Sequence, residues 1–359
     1  MCGIAGEFRF DGNLADAKAV ARMTDRLAPR GPDGAGVAGQ GPFVFGHRRL
    51  KIIDLTDQAA QPMSDPGLGL TLVFNGCIYN YPALRAELEG LGYCFFSTSD
   101  TEVILKAFHA WGADCVTRFH GMFAFAVFDR RDGSLTLARD RFGIKPMYLA
   151  EQPGRLRFAS TLQAILAGGE VSTDIDRVAL AHYMSFHAVV PAPRTLLAGV
   201  HKLPPATIRR VLADGTSSER RYWNATYARS EADARLTAQD WRDRVHDALL
   251  TAVRRRMVAD VPVGVLLSGG VDSSLITGLL AGEGQKGLMT FSIGFEEAKG
   301  EKGDEFVYSD LIANRFGTDH HKIFVPSADL MAALPDTIGA MSEPMVSYDN
   351  IGFFLLSRE

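Results

Sequence analysis

The chain opens with Met1-Cys2-Gly3-Ile4-Ala5-Gly6, and this run, read with the segments that follow it, indicates the fold of the N-terminal half. A residue as small as cysteine at position 2 usually permits removal of the initiator methionine, after which the mature chain begins with Cys2. The thiol and the free α-amino group of Cys2, which ordinarily titrate near pH ~8.5 and ~8, then form a nucleophile and a base on one residue. An isolated Met-Cys start more often has no function, so the rest of the sequence must decide.

The composition is that of an ordinary soluble globular protein with room for two domains. Of the 359 residues, 47% are hydrophobic and 22% are charged, and the net charge of −4 gives no reason to expect binding to nucleic acid. The N-terminus lacks the basic and apolar regions of a signal peptide, and the apolar run Met122 to Phe128 is too short to cross a membrane. The four cysteines have an irregular spacing that fits neither a disulfide framework nor a zinc site. We therefore expect a cytoplasmic protein.

The residues up to Ala159 alternate between strand-like and helix-like segments. Short β-rich or alternating runs bounded by Gly, Pro, Asn or Asp predict the strands Phe43 to His47, Leu70 to Phe74, Gly121 to Asp129, Ser134 to Ala138 and Leu156 to Ala159. Apolar residues at spacings of three and four predict two helices, which carry Val20, Met23 and Leu27 in one case and Leu84, Leu88 and Leu91 in the other.

A further helix is predicted from its ends. Ser99-Asp100-Thr101-Glu102 has the form of a capping box, so a helix should begin there, and Gly112 should end it. The prolines of the segment from about Gly168 to Tyr222 then predict a connector with some structure of its own.

The pattern of the C-terminal block is that of an α/β domain. Four-residue apolar spacing predicts a helix from Gln239 to Met257, and a buried strand, Val261 to Leu267, should run through a glycine turn into the helix Leu275 to Leu280. Thr290 to Phe295 should form the next parallel strand. Ile351 to Glu359 has the pattern of a helix without a terminating residue, so we expect the second domain to be incomplete.

Several N-terminal segments carry the groups that hydrolysis of a glutamine side chain needs. Such a site must bind the carboxylate and the ammonium of the amino acid, attack the amide carbon and stabilise an oxyanion. Arg49, at a strand end, suits the carboxylate through its bidentate guanidinium, and Asp100, at a helix start, suits the ammonium. The side chain of Asn75 and the N–H of Gly76, which should follow a strand, can form an oxyanion hole worth roughly 3–4 kcal/mol of barrier. Each residue alone has a commoner structural explanation, as a turn, a helix-dipole partner or a solvated cation.

Taken together, these segments resemble the class II glutamine amidotransferases, and more narrowly the glutamine-hydrolysing asparagine synthetase family. The runs that carry the resemblance occur in the family's order across the N-terminal half. They are Met1-Cys2-Gly3-Ile4, Arg30-Gly31-Pro32-Asp33, Arg48-Arg49-Leu50-Lys51-Ile52-Ile53-Asp54, Gln61-Pro62-Met63, Phe74-Asn75-Gly76, Ser99-Asp100-Thr101-Glu102-Val103-Ile104-Leu105, Gly121-Met122-Phe123-Ala124-Phe125-Ala126 and Arg139-Asp140-Arg141-Phe142-Gly143-Ile144-Lys145-Pro146.

The resemblance implies a role for each candidate residue. It makes Cys2 the nucleophile, Asn75 and Gly76 the oxyanion hole, Arg49 the partner of the glutamine carboxylate and Asp100 the partner of its ammonium. One position departs from the family, which usually has Glu after the Asn-Gly pair where this chain has Cys77, so Asp100 must hold the ammonium with less help. Cys77 could itself be considered as the nucleophile, but it lacks a nearby base and lies beside the proposed oxyanion hole.

A second motif lies at the predicted strand-to-helix turn of the C-terminal block. Ser268-Gly269-Gly270-Val271-Asp272-Ser273-Ser274 places two glycines, three serine hydroxyls and the N–H groups of a helix start where they can face an anion. No Lys follows the glycines, so the run is not the ordinary P-loop. It resembles the pyrophosphate-binding loop of enzymes that split ATP between its α- and β-phosphates. The resemblance implies that Asp272 helps to bind Mg²⁺ and that Leu267 and Ile293 line the adenine pocket.

The family implies the overall organisation. Residues 2–205 should form an N-terminal nucleophile (Ntn) αββα sandwich with its connector, and residues 225–359 an incomplete, doubly wound parallel α/β ATP-pyrophosphatase domain. The cofactors would be ATP and Mg²⁺, the partners small molecules (glutamine, ATP and a carboxylate acceptor), and a homodimer is the assembly to test. No nucleic acid and no membrane is expected as a partner.

The acceptor and the reaction class leave alternatives open. Aspartate is the family's commonest acceptor, whereas Asn75-Gly76-Cys77-Ile78-Tyr79-Asn80-Tyr81 and Met341-Ser342-Glu343-Pro344-Met345 are closer to enzymes that amidate N-acetylglutaminylglutamine. A sugar or phosphoribosyl amidotransferase would share the N-terminal domain but not the 268–274 loop. A stand-alone glutaminase-domain protein without synthetase activity would have no need of that loop either.

Overall fold

The computed structural model describes residues 1–285, 287–296, 306–347 and 349–359. The chain divides into a first unit, Met1–Thr226, and a second unit, Tyr227–Glu359.

The first unit is built from antiparallel strands and a smaller number of helices. Its strands are β1 Gly3–Arg9, β2 Gly34–Gln40, β3 Phe43–Arg49, β4 Met63–Asp65, β5 Leu70–Ile78, β6 Gly121–Asp129, β7 Ser134–Arg139, β8 Tyr148–Gln152, β9 Arg155–Ala159, β10 His201–Lys202, β11 Thr207–Val211 and β12 Ser217–Arg221. Its α-helices are α1 Ala17–Arg26, α2 Tyr81–Gly90, α3 Asp100–Trp111, α4 Leu162–Ala167 and α5 Arg177–Ser185.

These strands form two six-stranded sheets whose apolar faces meet. The first sheet has the order β10-β8-β9-β1-β3-β2 and the second the order β12-β11-β7-β6-β5-β4. One buried cluster joins them: Phe8 and Phe45 of the first sheet pack with Val73, Ala126 and other residues of the second. The Phe43 ring stacks on that of Phe128 with centroids 4.0 Å apart, so an aromatic pair spans the two sheets.

Helices cover the two outer faces. Met23 and Ile165, from α1 and α4, pack with Ala5 and Ala159 on the outside of the first sheet. Leu88 and several residues of α3 pack on the outside of the second sheet. The four layers confirm the predicted αββα sandwich.

The predicted strands and helices of this unit are largely confirmed. The strand Gly121 to Asp129 has the predicted bounds, and α3 begins after Ser99, whose hydroxyl accepts a hydrogen bond from Glu102 N, and ends at Gly112, where φ is +63°. The prediction that Asn75-Gly76 follows a strand is wrong, because β5 continues to Ile78. Asn75 pairs there with Ala124 and Gly76 with Phe123, so pairing with β6 overrides the turn preference of Asn-Gly. Leu91 lies past the end of α2 and is exposed.

The predicted connector belongs to the sheets of the first unit. His201 and Lys202 pair with β8 in the first sheet, and β11 pairs with β7 in the second. β12 then forms the edge of that second sheet.

The second unit contains a parallel sheet with the order β13-β14-β15. Its described strands are β13 Val265–Leu266, β14 Met289–Phe295 and β15 Asp319–Val325, and its described helices are α6 Glu231–Ala234, α7 Ala238–Arg256, α8 Val271–Gly282, α9 Phe306–Phe316, α10 Ser327–Ala340 and α11 Asp349–Arg358. Leu279 and Leu280 of α8 pack with Val253 of α7.

The predicted parallel α/β arrangement of this unit is confirmed, and one strand prediction within it is wrong. The buried strand predicted from Val261 to Leu267 is reduced to Val265 and Leu266, and Leu266 is exposed. The apolar run alone overstates the length of the strand, since pairing with β14 begins only at Val265. The helix predicted from Ile351 is confirmed as α11. In the described part of the chain, no helix is both long and apolar enough to cross a membrane.

Candidate active site

Cys2 lies directly before β1 and contacts the residue that follows β3. Its Sγ accepts a hydrogen bond from Leu50 N at 3.4 Å and lies 3.6 Å from Leu50 O. Its carbonyl oxygen accepts a hydrogen bond from Arg30 Nε at 3.1 Å. These contacts hold the thiol half-buried, at the end of the paired strands β1 and β3 of the first sheet.

The surroundings of Cys2 favour a protonated thiol while Met1 is in place. Burial raises the pKa of the Cys2 thiol, although the Leu50 hydrogen bond and the terminal ammonium oppose this effect. Burial lowers the pKa of the Met1 α-amino group, and the cations Arg30 and Lys145 lower it further. A thiol of this kind needs a base to become a nucleophile, and the α-amine that Cys2 gains when Met1 is removed is a suitable one.

Strand alternation turns four candidate side chains towards the space between the sheets. Successive residues of a strand point to opposite faces, and Phe45 and Val73 both lie in the cluster between the sheets. Arg49, four residues after Phe45, and Asn75 and Cys77, two and four residues after Val73, therefore face the same space. Cys2, two residues before Ile4 of that cluster, follows the same alternation.

Asn75 is the least satisfied of these side chains. It is 1% exposed, and among the described residues neither its Nδ2 nor its Oδ1 has a hydrogen-bond partner. An unsatisfied buried polar group costs about 1–3 kcal/mol, so both atoms are available to a ligand in this space.

The backbone of β5 offers a donor beside Asn75. β4 pairs with β5 only as far as Leu72, and beyond it the edge of β5 is capped by side chains. Phe74 N donates to Gln61 Oε1 at 2.6 Å, and Ile78 N donates to Asp100 Oδ2 at 2.9 Å. The N–H of Gly76, two residues from each, points to this same edge. A Cβ at Gly76 would lie 2.1 Å from Met122 O, so only glycine fits there.

Arg49 is buried and held by the loop that follows β3. Its guanidinium donates to Thr56 O at 2.6 Å and also to Asp54 O. The Asp54 carboxylate in turn accepts a hydrogen bond from Thr98 N at 2.8 Å, just before α3. The loop and the start of α3, where Asp100 lies, are thereby joined.

Asp100 is buried in the first turn of α3. Burial raises the pKa of its carboxyl to about 7, against the opposing effects of the Ile78 N–H and Arg49. Asp100 raises the pKa of the Cys2 thiol and Arg49 lowers it, so both charges lie close enough to Cys2 to affect its ionisation. The structure therefore brings together Cys2, Arg49 and Asp100, with Asn75 facing the same space.

Cys77 lies in this space as a neutral thiol. It is buried, and burial together with Asp100 raises the pKa of its thiol far above the ordinary value. It supplies no carboxylate for an ammonium group and is poorly suited to attack.

Two cations near Cys2 received no role from sequence reasoning. Arg30 is largely buried, and its Nη2 has no partner among the described residues. Lys145 is 3% exposed, and its Nζ lies 2.8 Å from Met1 Sδ. The sequence places both in loops that are rich in turn residues, and no periodic pattern there shows that a side chain is buried.

The 268–274 loop follows β13 at the carboxyl edge of the parallel sheet. Leu267 N donates to Phe291 O at 2.7 Å, and the hydroxyl of Ser292 donates to Leu267 O. Continued in this register, Ser268 lies level with Ile293 of β14. Ligands of parallel α/β sheets bind outside this edge.

The loop itself is shaped to receive an anion. Gly269 has φ +81°, and a Cβ there would lie 2.4 Å from Tyr308 Cβ. Gly270 is the N-cap of α8 and has no side chain to accept the N–H groups of the first turn. Ser274 Oγ is buried without a partner among the described residues. N–H groups and a buried hydroxyl at a helix start suit a phosphate.

The candidate Mg²⁺ ligand is a single carboxylate. Asp272 lies exposed in the first turn of α8, and the described residues contain no cluster of three or more His, Cys, Asp or Glu side chains that could hold a metal ion by themselves. Magnesium at nucleotide sites is usually held by one or two carboxylates together with phosphate oxygens and water, so a lone Asp272 beside a phosphate loop fits this ion.

Comparison with known proteins decides the family. A model described as a glutamine amidotransferase domain matches residues 1–223, and one described as asparagine synthase matches residues 244–359. A Methanocaldococcus jannaschii protein, provisionally named glutamine-hydrolyzing asparagine synthetase 2, is 31% identical over all of this chain and 71% of its own length. The chain belongs to the asparagine synthetase family.

A second relative and a solved structure were also found to be similar, and each matches a different fraction of its own length. Glutamine-hydrolyzing asparagine synthetase 3 of Bacillus subtilis (strain 168), a member of the family, is 35% identical over 94% of this chain. The chain spans 56% of the length of that relative. The solved structure of glutamine phosphoribosylpyrophosphate amidotransferase from B. subtilis, complexed with ADP and GMP, covers 90% of both chains at 16% identity, with a TM-score of 0.49.

Proposed function

We propose that the protein is a glutamine-dependent, ATP-dependent amidotransferase of the asparagine synthetase type. The first unit would hydrolyse glutamine to glutamate and ammonia. The second would activate an acceptor carboxylate with ATP, and ammonia would convert the activated acceptor into an amide. Two observations support this assignment of one half-reaction to each unit. The chain belongs to the family, and the glutamine-site candidates lie in the first unit whereas the nucleotide-loop candidates lie in the second.

Glutamine hydrolysis begins at Cys2 once Met1 has been removed. The α-amine takes the thiol proton, the thiolate attacks the side-chain amide carbon of glutamine, and the carbonyl oxygen becomes an oxyanion. Collapse of this intermediate expels ammonia, which receives the proton from the α-ammonium, and leaves a thioester on Cys2. Water then attacks the thioester and releases glutamate, which restores the thiol.

The single observation that carries this proposal is the buried side chain of Asn75, which has no hydrogen-bond partner among the residues that the structure describes. Its Nδ2 faces the space that Cys2 faces, and the Gly76 N–H points to the edge of the same strand, between the bonds to Gln61 and Asp100. Two donors fixed before the reaction stabilise an oxyanion by roughly 3–4 kcal/mol, because the protein need not reorganise as the charge develops.

Arg49 and Asp100 are assigned to the two charged ends of glutamine. A guanidinium binds a carboxylate through two parallel hydrogen bonds, and a carboxylate binds an ammonium. Cys77 stands where the family usually has Glu, so Asp100 is the carboxylate assigned to the ammonium. Its pKa of about 7 then makes the protonation state of Asp100 important for binding.

The second half-reaction is assigned to the 268–274 loop. Ser268, Gly269, Gly270, Ser273 and Ser274 would bind the pyrophosphate of ATP, with Leu267 and Ile293 beside the adenine. Asp272 would hold Mg²⁺, which neutralises negative charge on the phosphates when it is bound. An acceptor carboxylate oxygen attacks the α-phosphorus and pyrophosphate leaves. Ammonia then attacks the acyl carbon, and AMP leaves. The acceptor is aspartate or, alternatively, N-acetylglutaminylglutamine.

Labelling with a glutamine analogue that carries a diazoketone tests the glutaminase assignment. The purified protein is treated with the analogue, and each of its cysteines is mapped by mass spectrometry. We expect labelling of Cys2 that depends on removal of Met1, is blocked by glutamine and is lost in Cys2→Ala. Cys94→Ala, which removes an exposed thiol, is the matched control and should still be labelled at Cys2. Labelling of Cys77 instead, or glutamate release by Cys2→Ala, would overturn the assignment.

A further inference from the structure

We propose that Lys145 is a positioning residue for glutamine hydrolysis, whose buried ammonium at the start of the chain favours the neutral form of the Cys2 α-amine and the thiolate form of its side chain. This inference rests on the proposed function, because it concerns the base and the nucleophile of that reaction.

The backbone of Lys145 is fixed from both sides. Its N–H donates to Asp140 Oδ2 at 3.0 Å, and its carbonyl oxygen accepts a hydrogen bond from Arg139 Nε at 2.8 Å. Asp140 Oδ2 also accepts a hydrogen bond from Phe123 N at 3.1 Å, which attaches the turn to β6 opposite Gly76. The turn therefore holds Lys145 in a defined place relative to the candidate oxyanion hole.

The side chain of Lys145 reaches the start of the chain. It is 3% exposed, and its Nζ lies 2.8 Å from Met1 Sδ. A thioether is a weak partner for a buried ammonium. Removal of Met1 takes this partner away and turns the Cys2 nitrogen into a free amine. Cys2, whose thiolate raises the pKa of Lys145, then remains as a group of opposite charge within its electrostatic reach.

Some charged and titratable groups around the site raise the pKa values of the amine, the thiol and Lys145, and others lower them. Cys2 raises the pKa of the α-amine of Met1, Arg30 and Lys145 lower it, and Asp33 raises it. Arg49 lowers the pKa of the Cys2 thiol, and Asp100 raises it. Burial, and next Arg30, lower the pKa of Lys145 itself. Cys2 raises the pKa of both Lys145 and Arg30. Asp140 and Cys77 also raise the pKa of Lys145, and Tyr148 raises that of Arg30.

The sign of the effect follows from the charge. A nearby cation disfavours a second cation and favours an anion, so Lys145 lowers the pKa of both the amine and the thiol. An ordinary α-amine titrates near pH ~8 and is mostly protonated at neutral pH, where it cannot accept a proton. Both effects therefore support hydrolysis at neutral and mildly acidic pH. The effect on the amine disappears where the amine is already neutral, whereas the smaller effect on the thiol persists until the thiol is ionised.

The test compares Lys145→Met with Lys145→Arg between pH 6 and pH 9.5. In Lys145→Met we expect kcat for glutamate release to fall about tenfold at pH 6.5 but less than about threefold at pH 9, while Lys145→Arg keeps a profile close to that of the wild type. The rate at which iodoacetamide alkylates Cys2, followed by peptide mapping, should shift to higher pH in the same way. KM for glutamine should change little.

Lys106→Met is the matched control for the loss of a buried lysine. Lys106 is 5% exposed and pairs with Asp65 on the outer side of the second sheet. Its loss should lower the thermal stability and leave the pH dependence of kcat unchanged. If Lys145→Met does not fold, Lys145→Gln takes its place, because it removes the charge but keeps a polar end.

Three outcomes would overturn the inference. The first is a loss of kcat in Lys145→Met that is equal at all pH values. The second is a pH dependence of Cys2 alkylation that is the same in Lys145→Met and the wild type. The third is a shift of the kcat pH profile in Lys106→Met as large as that in Lys145→Met. A wild-type chain that releases no glutamate contradicts the proposed function instead, and the alkylation profile then still reports whether Lys145 affects the Cys2 thiol.

Discussion

The carboxylate of Asp100 accepts a hydrogen bond from the backbone N–H of Ile78 at 2.9 Å. This bond joins the first turn of α3 to the last residue of β5. The carboxylate assigned to the glutamine ammonium is thereby hydrogen-bonded to the strand assigned to the oxyanion. Burial at this junction raises the pKa of Asp100 to about 7.

Glutamine binding should weaken as the pH falls. Only ionised Asp100 attracts an ammonium group, and a carboxyl with a pKa of about 7 is mostly neutral at pH 6. We expect KM for glutamine to rise about tenfold between pH 8 and pH 6, and to be higher and nearly independent of pH in Asp100→Asn. Steady-state kinetics of glutamate release check this. A wild-type KM that is constant over this range would show that Asp100 is ionised throughout or does not contact the ammonium.

Asp100→Asn should also change how stability depends on pH. A carboxyl whose folded pKa lies above its unfolded value contributes stability below the unfolded pKa and loses it as the pH rises through about 7. The loss amounts to about 1.4 kcal/mol for each unit of difference between the two pKa values. The variant lacks this loss, so its free energy of unfolding should exceed that of the wild type at pH 8 but not at pH 4. Urea unfolding at the two pH values measures the difference, and an equal effect at both would contradict it.

Asn75→Ala should lower the rate of glutamine hydrolysis while changing the free energy of unfolding little. We expect kcat for glutamine hydrolysis to fall about 10²- to 10³-fold, because one oxyanion donor is lost. Stability should fall little, since neither polar atom of Asn75 has a partner in the described structure to lose. Asn80→Ala is the control: the Asn80 side chain bonds Arg118 O and His120 N, so this variant should lose stability and keep kcat. An unchanged kcat in Asn75→Ala would remove Asn75 from the site.

Cys77→Glu should strengthen glutamine binding. It places the family's usual carboxylate beside Asp100, and a hydrogen bond to a charged group contributes about 1.5–3 kcal/mol. We therefore expect KM for glutamine to fall about tenfold, whereas Cys77→Ser, which adds no charge, should leave it nearly unchanged. A higher KM in Cys77→Glu would mean that repulsion between the two carboxylates outweighs their attraction for the ammonium.

Asp272→Asn should weaken binding of ATP only when Mg²⁺ is present. If Asp272 helps to hold the ion, calorimetric titration with MgATP should show an affinity loss of about tenfold or more, and titration with ATP and a chelator a much smaller one. Glutamate release should be unaffected. Asp336→Asn, on an exposed part of α10, controls for the loss of one negative charge. Equal losses with and without Mg²⁺ would assign Asp272 to the nucleotide or the loop rather than to the ion.

The sequence predicts best where local and tertiary preferences agree. Gly121 to Asp129 alternates, has clear ends and lies in the middle of the second sheet, so its bounds are predicted correctly. The start of α3 is likewise predictable, because Ser99 caps it locally. At Asn75 and Gly76 the two preferences disagree: the pair favours a turn, but pairing with β6 keeps both residues in the strand.

Local sequence patterns cannot predict part of the site, because tertiary contacts rather than local preferences determine it. The burial of Lys145 results from a turn that Arg139 and Asp140 fix through hydrogen bonds. Its neighbour Met1 is 144 positions away in the chain. Sequence periodicity does not relate residues so far apart. The resemblance to a family therefore places Lys145 in a motif but does not show which residues its side chain contacts.

The position of β1 in the interior of the first sheet has a consequence during synthesis. One of its partners, β3, ends at Arg49, but the other, β9, begins only at Arg155. At about 5–20 residues per second, a ribosome needs roughly 5–20 s to pass from the first partner to the second. The N-terminal strand lacks one neighbour throughout this interval, which gives a methionine aminopeptidase time to act before the sheet closes. Ribosome-bound chains halted before residue 155 should therefore lose Met1 faster than chains halted after residue 226.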